Sequence, residues 1–557
     1  MLLAALLLLS GCAALENQPS AQSGDTRPAQ QQQAGQSPLL YNTLVAEIAG
    51  HRGNLGEAVR YYRKVVAQTD QPAVIRRAVR IMAFAKDYAS AGMAVEKWLQ
   101  LSPDNMEAHQ LAATIAIHQK KSQQAAKHLQ WMMTRSGKQG FIVLAAFLDR
   151  LNQPALALPV VETILSRHAD QVDAQVIYAR QAFNAGEFEK SRHAARRAID
   201  LQPTHTEAQI IYARSRIESG EVEQSLASLA KTVERYPDNR DLRLNYARLL
   251  VTSNRFESAV EQFEVLIKSA PDNADLLYST ALVMLQIKRY NDAKQLLVKL
   301  TGMPGHQQEA RYYLGKLEEQ RKNFSKALDW YKAVGRGSLY IESQMSAARI
   351  QAKQGQIAAA RKAYAELRED NSQLVVKIWL GESEMLREIK QYRLAYDVLD
   401  KAVTLHPDNI DLLYMRALAA EKIDRIDILE RDMKRVIQKQ PEHAHVLNAL
   451  GYTLADRTDR YEEAMGYIKR ALELAPTDPA IIDSMGWVLY RMGRKEEALV
   501  YLRRALARFH DGEIAAHLGE VLWMSGQRQA ALEIWNKALD VHPDSEALLD
   551  VMQRFEP

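Results

Sequence analysis

From Leu39 onward the chain alternates between stretches in which apolar residues recur every three to four positions and short polar breaks marked by proline. Residues 447–478 are the clearest instance. There Leu450, Gly451 and Tyr452 lie close together on one stretch, Tyr461, Ala464, Ile468 and Ala471 follow on a second, and Pro476 closes the unit. Such spacing predicts two amphipathic helices whose apolar stripes face each other. The small residues matter as much as the large ones. One stands 24 positions and another 12 positions before the closing proline, as Ala247 and Ala259 do before Pro271, and Gly519 and Ala531 before Pro543. Helices approach to about 8 Å only where small side chains meet at the crossing, so each pair predicts a tight helical hairpin.

The unit repeats. Pro203, Pro237 and Pro271 follow at steps of 34, Pro407 lies four such steps further on, and Pro441 one more, all in short polar contexts such as YPDN, APDN and HPDN. Pro103, Pro476 and Pro543 extend the register with steps of 33 to 35. A fixed period of this size marks a stacked-repeat architecture. The pattern of Gly451, Tyr452, Tyr461, Ala464, Ile468, Ala471 and Pro476 resembles the tetratricopeptide repeat, and so do the segments around Met485-Gly486-Trp487 and Leu518-Gly519. The resemblance implies an all-α, superhelical solenoid. Residues 39–557 accommodate about fifteen units of this length, so we expect roughly fifteen helical hairpins over 39–545, a capping helix and tail over 546–557, and no space for a separate catalytic domain. Units near 106–171 and 342–375 fit the pattern less well.

Composition narrows the functional classes. Lys and Arg total 72 against 68 Asp and Glu, a formal charge of +4, and no run of five like charges occurs. A nucleic-acid surface is therefore disfavoured. The sole cysteine, Cys12, rules out an intrachain disulfide and any paired-cysteine metal site. No phosphate-binding glycine loop, HExxH or GxSxG motif is present. The histidines are scattered and read as polar surface; His443 and His445 would diverge by about 200° on a helix. Neither a cofactor, a metal nor an enzymatic activity is expected.

Cys12 follows an apolar and small-residue run, MLLAALLLLSG, too short to span a bilayer, for which about 20 residues are needed. Leu9-Ser10-Gly11-Cys12 resembles the lipobox of bacterial lipoproteins, although no Lys or Arg precedes the apolar run. The resemblance implies a signal peptide over 1–11, cleavage before Cys12 and acylation of its thiol. Residues 12–38, rich in Gln, Ser, Pro, Gly and Ala, cannot bury enough apolar surface to offset their conformational entropy and read as a flexible tether. Ala13 after the cysteine implies, by the same resemblance, the periplasmic face of the outer membrane.

Residues that repeat without being needed for hairpin packing are the candidates for binding. Arg180, Arg214 and Arg248 recur at a spacing of 34, each one position past a packing alanine and so about 100° further round its helix. In this repeat family that stripe lines a concave groove. Tyr278, Tyr312 and Tyr414 form a second ladder on the same period, continued by Tyr452, Trp487, Tyr490 and Trp523. Tyrosine, tryptophan and arginine dominate binding hot spots, but aromatic residues in these repeats also serve as packing. Carboxylates at Asp173, Glu207, Asp241, Asp275 and Glu309 fall in first helical turns, where they favour the helix dipole. At the start of the array Leu39, Leu40, Leu44, Val45 and Ile48 either close the first hairpin's core or dock a partner or second copy.

Lipobox, tether and hairpin array together resemble a family of lipid-anchored periplasmic repeat proteins that bind carboxyl-terminal processing proteases and present cell-wall hydrolases to them. The resemblance implies a non-enzymatic scaffold or adaptor, with that protease and peptidoglycan hydrolases as partners and no small-molecule substrate. An assembly lipoprotein for a secretion, pilus or polysaccharide-export machine would share the same anchor and repeats.

Overall fold

The computed structural model describes residues 38–555, so Cys12, the apolar segment and nearly all of the tether lie outside the described residues. Within them there are thirty-one α-helices, from α1 (Pro38–His51) to α31 (Glu546–Phe555), two single-turn 3₁₀ helices at Gly137–Gln139 and Ser372–Leu374, and no strand. In chain order α1 to α30 make fifteen consecutive pairs, with α31 following. The described residues up to Asn254 and those from Arg255 onward form two compact units. In each, hairpins stack on their neighbours.

Local sequence fixes where each helix begins and ends. In the PDN breaks, proline interrupts the preceding helix and the asparagine two positions on caps the next one. Asn105, Asn239, Asn273 and Asn409 each accept the backbone N–H three residues ahead, on Ala108, Leu242, Leu276 and Leu412, at 2.9–3.0 Å. A cap of this kind contributes about 1 kcal/mol. The turn inside every hairpin but one, that at Thr458–Arg460, places a residue in the left-handed region. Gly186, Gly220, Gly493 and Gly526 supply it without strain, whereas at Lys86, Lys120, Lys288, Lys322 and Lys390 a lysine sits at φ between 57° and 61°.

The small positions sit at the helix crossings. A Cβ added to Gly486 would come within 2.6 Å of the Leu502 side chain, and one on Gly451 within 2.6 Å of Ile468. Where the residue is alanine, as at Ala281, the position sixteen residues on in the second helix is leucine, Leu297, and both are fully buried in one apolar cluster. The stretch with the weakest sequence period is the least regular: α7 (Gly140–Leu151) follows the first 3₁₀ turn, and α8 (Pro154–Leu165) carries Pro159 in its interior. Among the described residues no helix is long and apolar enough to cross a membrane.

Candidate functional site

The second unit contains the most elaborate polar and aromatic cluster. It is built on the first helices of successive hairpins, α23 (Ile410–Glu421), α25 (Ala444–Arg457), α27 (Pro479–Arg491) and α29 (Gly512–Met524), with α31 at the end. Two adjoining cavities of about 650 and 670 Å³ open along these helices and share Tyr452 and Glu513 as a common wall.

Trp487 is buried, donates its indole N–H to Asp456 Oδ1 at 3.1 Å, and stacks on His517 with ring centroids 4.2 Å apart. His517 Nδ1 lies 2.8 Å from Asp483 Oδ2. Burial alone would lower the imidazole's pKa, but the Asp483 carboxylate, helped by Glu513 and Glu520, carries it above its ordinary value. The Tyr452 phenol on α25 reaches His517 Nε2 at 3.4 Å and Glu513 Oε1 at 3.3 Å, both on α29 two hairpins later. Burial, reinforced by Glu513, Asp456 and Asp483, holds that phenol well above the usual tyrosine range. Tyr490 donates to Glu520 at 3.4 Å, and its hydroxyl is pushed up to about 12, chiefly by burial and by that carboxylate. Arg554 closes the end by donating to Glu520 Oε2 at 2.9 Å. The arrangement presents fixed aromatic faces above carboxylates. Among the described residues no group of three or more His, Cys, Asp or Glu is placed to hold a metal ion.

Of the aromatic positions singled out in the sequence, Tyr452, Trp487 and Tyr490 converge here. Trp523 belongs to the same helix as His517 but packs on Trp535 and Phe555, each 5.8 Å away, with Arg528 over its ring. Tyr278, Tyr312 and Tyr414 do not join them. Tyr278 stacks on His306 at 4.3 Å, Tyr312 is buried between Tyr313 and Tyr331, and Tyr414 is half-buried with its ring 6.2 Å from His443.

In the first unit Arg214 and Arg248 are exposed, whereas Arg180 is only partly so. Arg180 lies 3.6 Å from Glu207 of the acidic series, and the Arg214 guanidinium sits 4.2 Å over the Phe183 ring. On α1, Leu40, Leu44 and Ile48 are each at least half exposed along one stripe, while Leu39 packs into the first hairpins and Val45 is partly buried.

The histidine expectation needs correcting. His517 and His109 are both buried, the first on Asp483 and Trp487, the second stacked on Trp131 at 3.7 Å. Sequence reasoning also passed over Asp456, Asp483, Glu513, Glu520 and Glu421. Comparison of repeats would not have paired Asp483 with His517: they are 34 residues apart, but the step from α27 to α29 is 33, as from Gly486 to Gly519, so they stand one position out of register.

Stacked antiparallel helix pairs on a 34-residue period define a helical-repeat scaffold. Tetratricopeptide-repeat models match residues 148–208, 278–338, 345–410 and 414–479, a second such model matches 216–283, and a third 480–509. The chain belongs to the tetratricopeptide-repeat family, whose members bind protein partners and are in general non-enzymatic scaffolds. A TPR repeat-containing protein of Pseudomonas aeruginosa is 40% identical over 211 residues, 38% of this chain and 36% of that protein. Human tetratricopeptide repeat protein 7A is 28% identical over 173 residues, 31% of this chain and 16% of that one. The aligned stretch thus spans about a third or less of these curated relatives. The crystal structure of a thermophilic TPR protein from Thermus thermophilus is similar at 24% identity and a TM-score of 0.29, covering 31% of this chain and 92% of that one.

Proposed function

We propose that this chain is a lipid-anchored, non-enzymatic adaptor of the periplasm that binds a carboxyl-terminal processing protease and presents peptidoglycan hydrolases to it. Binding, rather than catalysis, is supported by the C-terminal groove: its aromatic faces are locked by hydrogen bonds to Asp456, Glu513 and Glu520, a rigid surface of the kind that accepts varied side chains at low entropic cost. Anchoring rests on Cys12 and the apolar run before it, and the outer-membrane location and partner identities rest on the family resemblance. Several acyl chains at Cys12 would hold the protein without other membrane contact.

The test uses purified full-length chain with the protease and a hydrolase from the same cell. A ternary complex in sedimentation, and faster hydrolase cleavage when the chain is present, are expected. Failure of the chain to bind either enzyme overturns the adaptor reading. Cys12→Ser should move the protein from membrane to soluble fractions; retention of that variant after a salt wash would overturn the anchor.

A further inference from the structure

In the C-terminal groove most charges are matched, and three acceptors are not. Asp478 and Asp511 cap α27 and α29, accepting backbone N–H groups, and Asp456 takes the Trp487 indole. By contrast, the Glu421 side chain has no hydrogen bond or ion pair among the described residues, and Glu513 meets only the Tyr452 phenol through its side chain. Asp483 is only 5% exposed; its Oδ2 holds His517, but its Oδ1 has no partner. All three residues line the cavity of about 670 Å³. Its one lysine, Lys422, makes no ion pair with either glutamate. This local excess of negative charge stands in a chain whose formal charge is +4.

We propose that this cavity is a subsite for one cationic side chain, lysine or arginine, of a client segment lying extended in the groove. The proposal rests on the reading that clients occupy that groove. An ammonium or guanidinium supplies only donors, the complement of the unmatched carboxylate oxygens of Glu421 and Glu513 on this wall. The Tyr452 ring adds an aromatic face for the cation, and Phe509, 57% exposed at the same cavity, covers the aliphatic stem.

An extended segment suits the geometry because Tyr452 spans from α25 to α29 and divides the groove into two adjoining cavities. Alternate side chains of a strand point to the same face about 7 Å apart, so consecutive same-face residues can enter both. Burial already pushes the Glu421 carboxyl above its ordinary pKa, with Glu513 and Asp456 adding to the rise against the opposing pull of Lys422 and Arg457. Binding of a cation should relieve that strain, and mildly acidic solution should weaken binding before ordinary carboxylates protonate.

The experiment probes an array of random dodecapeptides with the full-length chain, before and after acetylation of the array's lysines. Bound peptides should be enriched in Lys and Arg, and acetylation should abolish binding to those with Lys but no Arg. Glu421→Gln with Glu513→Gln should weaken the remaining binders about tenfold, equivalent to about 1.4 kcal/mol, without lowering the melting temperature. Bound peptides showing no basic preference, with binding unaffected by acetylation, would overturn the cationic subsite while leaving the groove as a client site. If no peptide binds, groove and subsite fall together.

Discussion

An alanine at position 519 places one methyl group where the fold leaves no space. The new Cβ would lie 1.9 Å from Trp535 Nε1 and 2.4 Å from its Cε2. The indole cannot swing aside, because it is 1% exposed, bonded to the Ala516 carbonyl at 3.3 Å, and stacked against Trp523 and Phe555. Replacing a helical glycine by alanine gains about 1 kcal/mol of helix propensity. Overpacking a filled core costs about 1–3 kcal/mol, and a clash this deep with a rigid ring lies at or beyond the top of that range. The net effect of Gly519→Ala is therefore a loss of about 2 kcal/mol. In a repeat array such a loss concentrates on the altered hairpin and its neighbours. Hydrogen exchange at amides of α29 to α31 should accelerate about thirtyfold, with little change in the first unit. Gly519→Ala with Trp535→Leu, which reproduces the Ala281 and Leu297 pairing, should cost less than the sum of its single changes. Unchanged exchange in Gly519→Ala would refute the close-approach argument.

Arg416 is 5% exposed and forks onto fully buried Asp432 at 2.6 and 2.8 Å, so Arg416→Ala should cost about 3–5 kcal/mol in denaturant unfolding, much of it recovered by adding Asp432→Leu. Lys288→Gly should raise stability by up to about 1 kcal/mol, since the exposed lysine sits at φ 61° and glycine adopts that conformation freely. His517 has a folded pKa above its ordinary value, so its contribution is complete below about pH 6.5 and is lost as pH rises through the folded pKa; melting temperatures should fall over that interval, and less so in His517→Gln. Alanine at Arg180, Arg214 and Arg248 together should lower stability by no more than about 1 kcal/mol per site while weakening hydrolase binding in the sedimentation assay; a large fall in melting temperature would show that the row holds hairpins together.

The fold was legible because its period is written twice, in the prolines and in the small residues at −24 and −12 from them. The asparagines of the PDN breaks, which the period alone left without a role, cap the helices that follow. The site was less legible. Tyr312 stands three positions before the crossing glycine Gly315 and Tyr452 one position after Gly451, so the two aromatics are about one helical turn apart in register, and one packs between tyrosines while the other spans the groove. His517 was obscured for a different reason. Its partner Asp483 is on the first helix of the preceding hairpin, one position out of register with it, so neither local spacing nor comparison of repeats pairs the two.

The bridge from Tyr452 to Glu513 and His517 has a mechanical consequence. A chain of hairpins joined only to adjacent hairpins behaves as a spring, lengthening by small rotations at every joint. A tie that skips one hairpin acts as a stop on that rotation: α25 and α29 cannot separate until the phenol leaves both partners. Pulled from its ends, the last part of the array should therefore resist up to a threshold and then yield abruptly, while segments without such a tie stretch gradually.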